Sequence, residues 1–86
     1  MKTVKWTPSA AEDIEYWKKR DPSKIKRIQQ LIENIQTTPY SGIGKPEQLK
    51  YSLSGLWSRR ITQEHRLIYS VNDSGIIIYN CRFHYV

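Results

Sequence analysis

The sequence predicts an α+β domain in which a short N-terminal strand and an antiparallel two-helix hairpin pack on one face of an antiparallel β-sheet. As far as residue 38, apolar residues recur at helical spacing, and two cap-then-proline pairs mark helix starts. The loop at residues 39–46 is rich in Pro, Ser and Gly, and beyond it apolar and polar residues alternate as they do in strands.

The first two predicted elements are a strand and a helix. Residues 3–6, Thr-Val-Lys-Trp, predict a short strand, and Thr7 followed by Pro8 is typical of a helix N-cap with proline in the first turn. Acidic residues come early in the next segment and basic residues late, which suits the helix dipole. This helix is expected to cover about residues 8–20.

A second helix follows at once. Asp21 and Pro22 repeat the cap-then-proline pair, and the helical spacing ends at Thr37-Thr38-Pro39. Because the connection is so short, the two helices should fold back on each other as an antiparallel hairpin. The apolar stripe of the second helix consists of Ile25, Ile28, Leu31, Ile32 and Ile35.

Three strands are predicted near residues 56–62, 65–72 and 75–85, with a weaker one near 49–53. Side chains alternate between the two faces of a strand, so parity assigns each residue to a face. The apolar face is expected to carry Trp57, Ile61, Leu67, Tyr69, Val71, Ile77, Tyr79, Cys81 and Phe83. The polar face is expected to carry Ser58, Arg60, Thr62, Arg66, Ile68, Ser70, Asn80, Arg82 and His84.

Composition limits the class of protein. Eighty-six residues predict one domain, 1–86, with a modest core. The formal net charge of +6 is spread over both halves of the chain and favours polyanionic partners such as RNA, DNA or an acidic protein. One cysteine cannot form an internal disulfide, and neither a long apolar N-terminal segment nor a membrane span is evident, so a cytoplasmic protein is expected.

Three residues suggest phosphodiester chemistry. RNA cleavage by its own 2′-hydroxyl needs a base, an acid for the leaving 5′-oxygen and a cation beside the phosphorus. Glu47, His84 and Arg66 could fill these roles without a metal or cofactor, although which proton Glu47 and His84 each transfer stays open. Each also has an ordinary explanation as a solvated or structural side chain. Lys45 and Lys50 flank the glutamate and could bind neighbouring phosphates.

The chain resembles the YoeB toxins of the RelE/ParE superfamily of bacterial type II toxin–antitoxin systems. The resemblance covers essentially the whole chain and includes the strand at Trp6 and the helix exit at Thr38-Pro39-Tyr40. Its specific motifs, in this order, are Gly44-Lys45-Pro46-Glu47-Gln48-Leu49-Lys50, Trp57-Ser58-Arg59-Arg60-Ile61, Glu64-His65-Arg66-Leu67 and the terminal Cys81-Arg82-Phe83-His84-Tyr85.

The resemblance implies a RelE/ParE-like fold. It also implies a ribosome-dependent endoribonuclease that cuts mRNA in the A site, with the 2′-hydroxyl as nucleophile, and so inhibits translation. Glu47 matches the family's general base, His84 its general acid and Arg66 its transition-state cation. Tyr85 matches a further site residue. Phosphate contacts are expected from Lys45, Lys50, Arg60 and Arg82.

The resemblance also implies partners. These are a YefM-like antitoxin with an acidic segment, the 30S or 70S ribosome and its mRNA, and operator DNA bound only through the antitoxin complex; a homodimer stays open. Family chains commonly finish at the His-Tyr pair, whereas Val86 follows here, and activity is expected to survive this addition. The alternative is a non-catalytic basic toxin that blocks the ribosome or another nucleic-acid machine such as gyrase.

Overall fold

The structure is a computed structural model, and it describes residues 2–83. Two helices and five strands follow one another along this part of the chain, with one 3₁₀ turn at Tyr51–Leu53. The helices are α1 (Pro8–Arg20) and α2 (Ser23–Thr37). The strands are β1 (Val4–Trp6), β2 (Glu47–Gln48), β3 (Trp57–Arg60), β4 (Arg66–Asn72) and β5 (Gly75–Asn80).

Helix α1 begins where the cap-then-proline pair predicted. The Thr7 hydroxyl accepts a hydrogen bond from the backbone N–H of Ala10 at 3.2 Å and donates to the carbonyl of Tyr79 at 2.8 Å. The cap therefore also ties the start of the helix to β5. Basic residues 18–20 occupy the last turn, where the helix dipole favours them.

Helix α2 begins two residues after Asp21, whose carboxylate holds its first turn. Asp21 Oδ1 accepts from the backbone N–H of Ser23 at 3.2 Å and from the Ser23 hydroxyl at 2.6 Å. These bonds to Ser23 lower the pKa of the Asp21 carboxyl. The inward-facing residues are Ile28, Leu31 and Ile35, as the helical spacing predicted.

The sheet has the order β1-β5-β4-β3-β2. Strands β2 to β5 form antiparallel neighbours, whereas β1 pairs in parallel with β5, so the sheet as a whole is mixed. The α+β class is confirmed. The weak strand expected near 49–53 is wrong, because that segment forms the 3₁₀ turn and the pairing residues are Glu47 and Gln48. Strand β5 ends at Asn80, so residues 81–83 of the strand expected near 75–85 lie outside it.

The core lies between the helix hairpin and one face of the sheet. Each large apolar side chain buried there contributes about 1.5–3 kcal/mol relative to an exposed one. Within residues 2–83, neither helix combines the length and the apolar character that a bilayer-spanning segment needs. The buried cluster is Ala10, Trp17, Ile28, Leu31, Ile35, Ile61, Leu67, Tyr69, Ile76, Ile78 and Cys81.

A β-bulge corrects the predicted parity of β5. Ile68 pairs with Asn80 but Tyr69 pairs with Ile78, so Tyr79 is the extra residue. The apolar side chains that this strand buries in the core are Ile76 and Ile78, not the expected Ile77 and Tyr79. Because the bulge absorbs one residue, Cys81 beyond it still lies on the core side, as predicted.

Candidate active site

A polar pocket of about 200 Å³ lies on the sheet away from the helix hairpin. It collects four of the predicted site residues from three separate segments of the chain: Lys45 and Glu47, Arg60, and Arg66. The predicted parity of β3 and β4 brings Arg60 and Arg66 to this face. The complete lining is Lys45, Pro46, Glu47, Ser58, Arg60 and Arg66.

Strand register sets the two arginines directly opposite each other. Arg60 is the Cα partner of Arg66 in the β3–β4 ladder, and Glu47 is the partner of Ser58 in the β2–β3 ladder. Like charges directly opposite on neighbouring strands destabilise a sheet. An anionic ligand between the two guanidinium groups would relieve this repulsion, so the pairing favours a phosphate-binding role.

The Arg66 side chain is held by the turn that precedes its strand. Its Nη1 donates to the carbonyls of Thr62 at 3.0 Å and Gln63 at 2.6 Å. Both bonds use the same nitrogen of a guanidinium group that has five N–H donors. The turn therefore orients the group while its remaining N–H donors are still able to meet phosphate oxygens.

Glu47 enters the pocket from a short strand at the edge of the sheet. Among residues 2–83, no ion pair within 4.0 Å joins its carboxylate to a cation. A carboxylate without a contact ion pair keeps its capacity to accept a proton from a substrate. The geometry therefore suits Glu47 to the role of a base.

Gly44 allows the loop before Glu47 to approach the sheet. Its carbonyl accepts from the backbone N–H of Arg60 at 2.7 Å, and its φ is +82°. A Cβ at this position would lie 2.8 Å from Leu31 Cδ2 and 3.1 Å from the Cβ of Arg59. Glycine is thus required both by the backbone conformation and by the lack of space.

Arg59 anchors the same loop, and sequence reasoning missed it. The residue is completely buried, and all five of its guanidinium N–H donors have acceptors. The indication available in the sequence was strand parity, which places residue 59, between Ser58 and Arg60, on the inward face of its strand. The acceptors are Asn34 Oδ1, the Tyr69 hydroxyl and the carbonyls of Thr38, Ser41 and Ile43.

His84 and Tyr85 lie outside the described residues, but the chain leading to them is described. Phe83 bonds to the first residue of β4, since the backbone N–H of Arg66 donates to its carbonyl at 2.8 Å. The described chain therefore reaches Arg66 one residue before His84. Val86 also falls outside the described part.

Two predicted phosphate contacts do not join the pocket. The guanidinium carbon of Arg82 lies 3.5 Å from the ring centroid of Tyr16 on α1, so the expectation that Arg82 shares the polar face is wrong. The physical reason is that the chain leaves regular strand geometry after Asn80, and a cation–π contact then directs the side chain to the helix. Lys50 is exposed at the start of the 3₁₀ turn and does not line the pocket.

The described part of the chain contains no group of three or more His, Cys, Asp or Glu side chains that could hold a metal ion.

Outside the pocket, two buried or half-buried groups, the Cys81 thiol and the Asp13 carboxyl, have raised pKa values. Burial raises the pKa of the Cys81 thiol to about 12, and the nearby Asp13 carboxyl adds to the effect. Burial also raises the pKa of Asp13, although its hydrogen bond from the Cys81 N–H opposes the shift.

Comparison with known proteins shows the family to which the chain belongs. Residues 6–85 match the model of the YoeB-like toxins of bacterial type II toxin–antitoxin systems. The chain belongs to this family. It is 49% identical over 85 residues to the toxin YoeB of Escherichia coli strain K12, which covers 99% of this chain and 100% of that protein.

Solved structures agree with this assignment. The chain is similar to a YoeB/ParE toxin from Agrobacterium tumefaciens, with a TM-score of 0.92, 47% identity and coverage of 99% of this chain and 100% of that one. It is also similar to the toxin in a YoeB–YefM complex from Staphylococcus aureus, with a TM-score of 0.89, 41% identity and 99% coverage of both chains. The protein is therefore a toxin of the type II class, built on the fold of its family.

Proposed function

We propose that this toxin is a ribosome-dependent endoribonuclease that cleaves mRNA in the A site by acid–base catalysis without a metal ion. The observation that carries the proposal is the pocket in which an ionisable carboxylate, Glu47, faces two juxtaposed arginines, Arg60 and Arg66. A base and a pair of cations around one small polar space match the needs of phosphodiester cleavage.

The proposed reaction uses the RNA's own 2′-hydroxyl as the nucleophile. The Glu47 carboxylate removes the hydroxyl proton, and the resulting oxygen attacks the adjacent phosphorus. The bond to the 5′-oxygen breaks, His84 gives that oxygen a proton, and the products carry a 2′,3′-cyclic phosphate and a 5′-hydroxyl. Tyr85 is assigned to the same site.

The cations of the pocket have separate roles in this proposal. Arg66 stabilises the charge that develops on the phosphate oxygens, because its guanidinium is oriented by the turn carbonyls. Arg60 and Lys45 bind the neighbouring backbone, and Lys50 contacts a phosphate farther along the strand. The net charge of +6 favours association with the ribosome and its mRNA before these contacts form.

The proposal includes an antitoxin of the YefM type. The similar Staphylococcus aureus toxin forms a complex with YefM. An acidic, flexible segment folding onto a basic domain would mask the pocket, and the complex would bind operator DNA through the antitoxin. Copurification of the toxin with the product of an adjacent reading frame tests this pairing.

The catalytic roles are tested by supplying the toxin to translating ribosomes with a defined mRNA and mapping RNA ends by primer extension. Wild-type protein should produce a discrete A-site cut. Glu47→Gln and His84→Gln should each lose roughly 10²–10⁴-fold in cleavage rate, the usual contribution of general acid–base catalysis, with little change in ribosome binding.

Glu33→Gln is the matched control, because it removes the same charge from the exposed face of α2, away from the pocket. This variant should cleave like wild type. Intact mRNA with translation arrested by the wild-type protein would show that the toxin blocks the ribosome without cutting, and the nuclease proposal would be withdrawn.

A further inference from the structure

Residues 81–83 leave the sheet and are held by a set of hydrogen bonds that we name the tail clamp. The backbone N–H of Cys81 donates to Asp13 Oδ2 at 2.9 Å, and the indole N–H of Trp17 donates to the Cys81 carbonyl at 2.7 Å. The backbone N–H of Phe83 donates to His65 Nδ1 at 2.8 Å, and its carbonyl accepts from Arg66.

The tail clamp replaces the hydrogen bonds that a continuing strand would have made. Strand β5 ends at Asn80, and three of the four bonds to the backbone of residues 81–83 have side chains as partners. Phe83 has a φ of +59°, a conformation that is unfavourable for an aromatic residue and persists only where surrounding contacts require it. The path of the chain before His84 is therefore imposed by these side chains.

His65 is the central member of the clamp, because its imidazole contacts both α1 and the tail. Nδ1 accepts the Phe83 N–H, and Nε2 lies 3.1 Å from Glu64 Oε1. The ring packs edge-on against Trp17, with 4.9 Å between centroids. An oriented imidazole thus connects α1, the β3–β4 turn and the tail.

We propose that His65, supported by Asp13 and Trp17, is a positioning residue that fixes the path of residues 81–83, which directly precede His84 in the chain. This inference rests on the proposed function, in which His84 is the acid. The peptide link between Phe83 and His84 is rigid, so a displaced Phe83 displaces the residue after it. A misplacement of about 1 Å can cost on the order of 10²-fold in rate.

Two substitutions at His65 separate positioning from simple packing. In His65→Asn the amide oxygen can take the place of Nδ1 and accept the Phe83 N–H. In His65→Gln the amide reaches the place of Nε2 instead and leaves Phe83 without its acceptor. Both variants lose the ring contact with Trp17, so their comparison isolates the hydrogen bond.

Four measurements are made on the full-length protein. The single-turnover cleavage rate on ribosomes reports catalysis, and the affinity for ribosomes reports binding. Thermal unfolding shows whether each variant is folded. Hydrogen exchange at the Phe83 amide, followed by NMR, reports the clamp without any reference to activity. Should both His65 variants unfold, Asp13→Asn and Asp13→Leu provide the same comparison at the Cys81 N–H, because only asparagine keeps an acceptor.

The expected result is that His65→Gln loses roughly 10–100-fold in cleavage rate with unchanged ribosome affinity and faster Phe83 exchange, whereas His65→Asn recovers most of the rate. Equal cleavage by the two folded variants, beside an active wild type, would overturn the positioning role alone. Absence of cleavage by the wild-type protein would overturn the proposed function and with it the catalytic consequence of the clamp, while Phe83 exchange would still report the clamp's structure.

Discussion

Replacing Arg59 with methionine should destabilise the protein strongly, because this buried side chain donates five hydrogen bonds. Hydrogen bonds from charged groups contribute about 1.5–3 kcal/mol each. Most of the acceptors lie on exposed or half-buried residues that water can reach after truncation, and the charge no longer has to be buried. If about one bond is counted in full and the others are discounted because water can replace them, the free energy of unfolding falls by about 2–4 kcal/mol.

The assay is thermal unfolding followed by circular dichroism. In a domain of this size each kcal/mol shifts Tm by about 4–8 °C, so Arg59→Met should lower Tm by roughly 10–25 °C. Arg60→Met is the matched control, since it removes the same group from the exposed neighbouring position and should change stability by less than about 0.5 kcal/mol. Equal Tm values for the two variants would refute the anchoring role of Arg59.

Two further predictions concern Gly44 and Cys81. Gly44→Ala should lose more stability in a urea titration than Gly55→Ala, because both have positive φ but an added Cβ meets nothing within 4 Å at Gly55 and Leu31 at 2.8 Å at Gly44; equal losses would contradict the close approach. The Cys81 thiol, with its pKa raised to about 12 by burial, should resist iodoacetamide at mildly alkaline pH until the protein unfolds. Because the folded state holds this proton more tightly, the thiol's contribution to the free energy of unfolding is complete below the ordinary pKa of 9.0 and is lost as pH rises towards 12. Cys81→Ala should therefore reduce the fall of the urea midpoint at alkaline pH. An unchanged pH dependence would show that the thiol is not protected by burial.

The pocket is assembled from segments that are remote in sequence, and buried polar groups hold two of them. Arg59 fixes the loop that precedes Glu47, and the tail clamp fixes residues 81–83. Between them, the β3–β4 register sets Arg60 beside Arg66. Substitutions at Arg59 and His65 are therefore expected to affect the site although neither residue lines the pocket.

Local sequence features predicted the helices and the arginine face well. Thr7-Pro8 and Asp21-Pro22 act through bonds within a few residues, so the helix starts could be inferred from neighbours alone. The parity of β3 and β4 also held, because these strands pair without interruption from Trp57 to Arg60. Arg60 and Arg66 accordingly reach the same face, as expected.

Parity failed where the strands are irregular. The bulge at Tyr79 moves Ile76 and Ile78 to the core instead of Ile77 and Tyr79, and alternation counted along the chain cannot detect an inserted residue. Arg82 was assigned to the polar face by the same alternation, but the chain leaves regular strand geometry after Asn80 and the Arg82 guanidinium lies over Tyr16. The assigned roles of His84 and Tyr85 remain predictions.

The sequence by itself determined the α+β class, the two helices and the family, since these depend on periodicity, caps and motifs that are written locally in the chain. Only the tertiary structure decided that Arg59 is a buried anchor, that β1 pairs in parallel with β5 and that His65 holds the chain before His84. The physical reason is that these features depend on hydrogen bonds between residues far apart in sequence. Such partners are chosen by packing rather than by neighbouring residues.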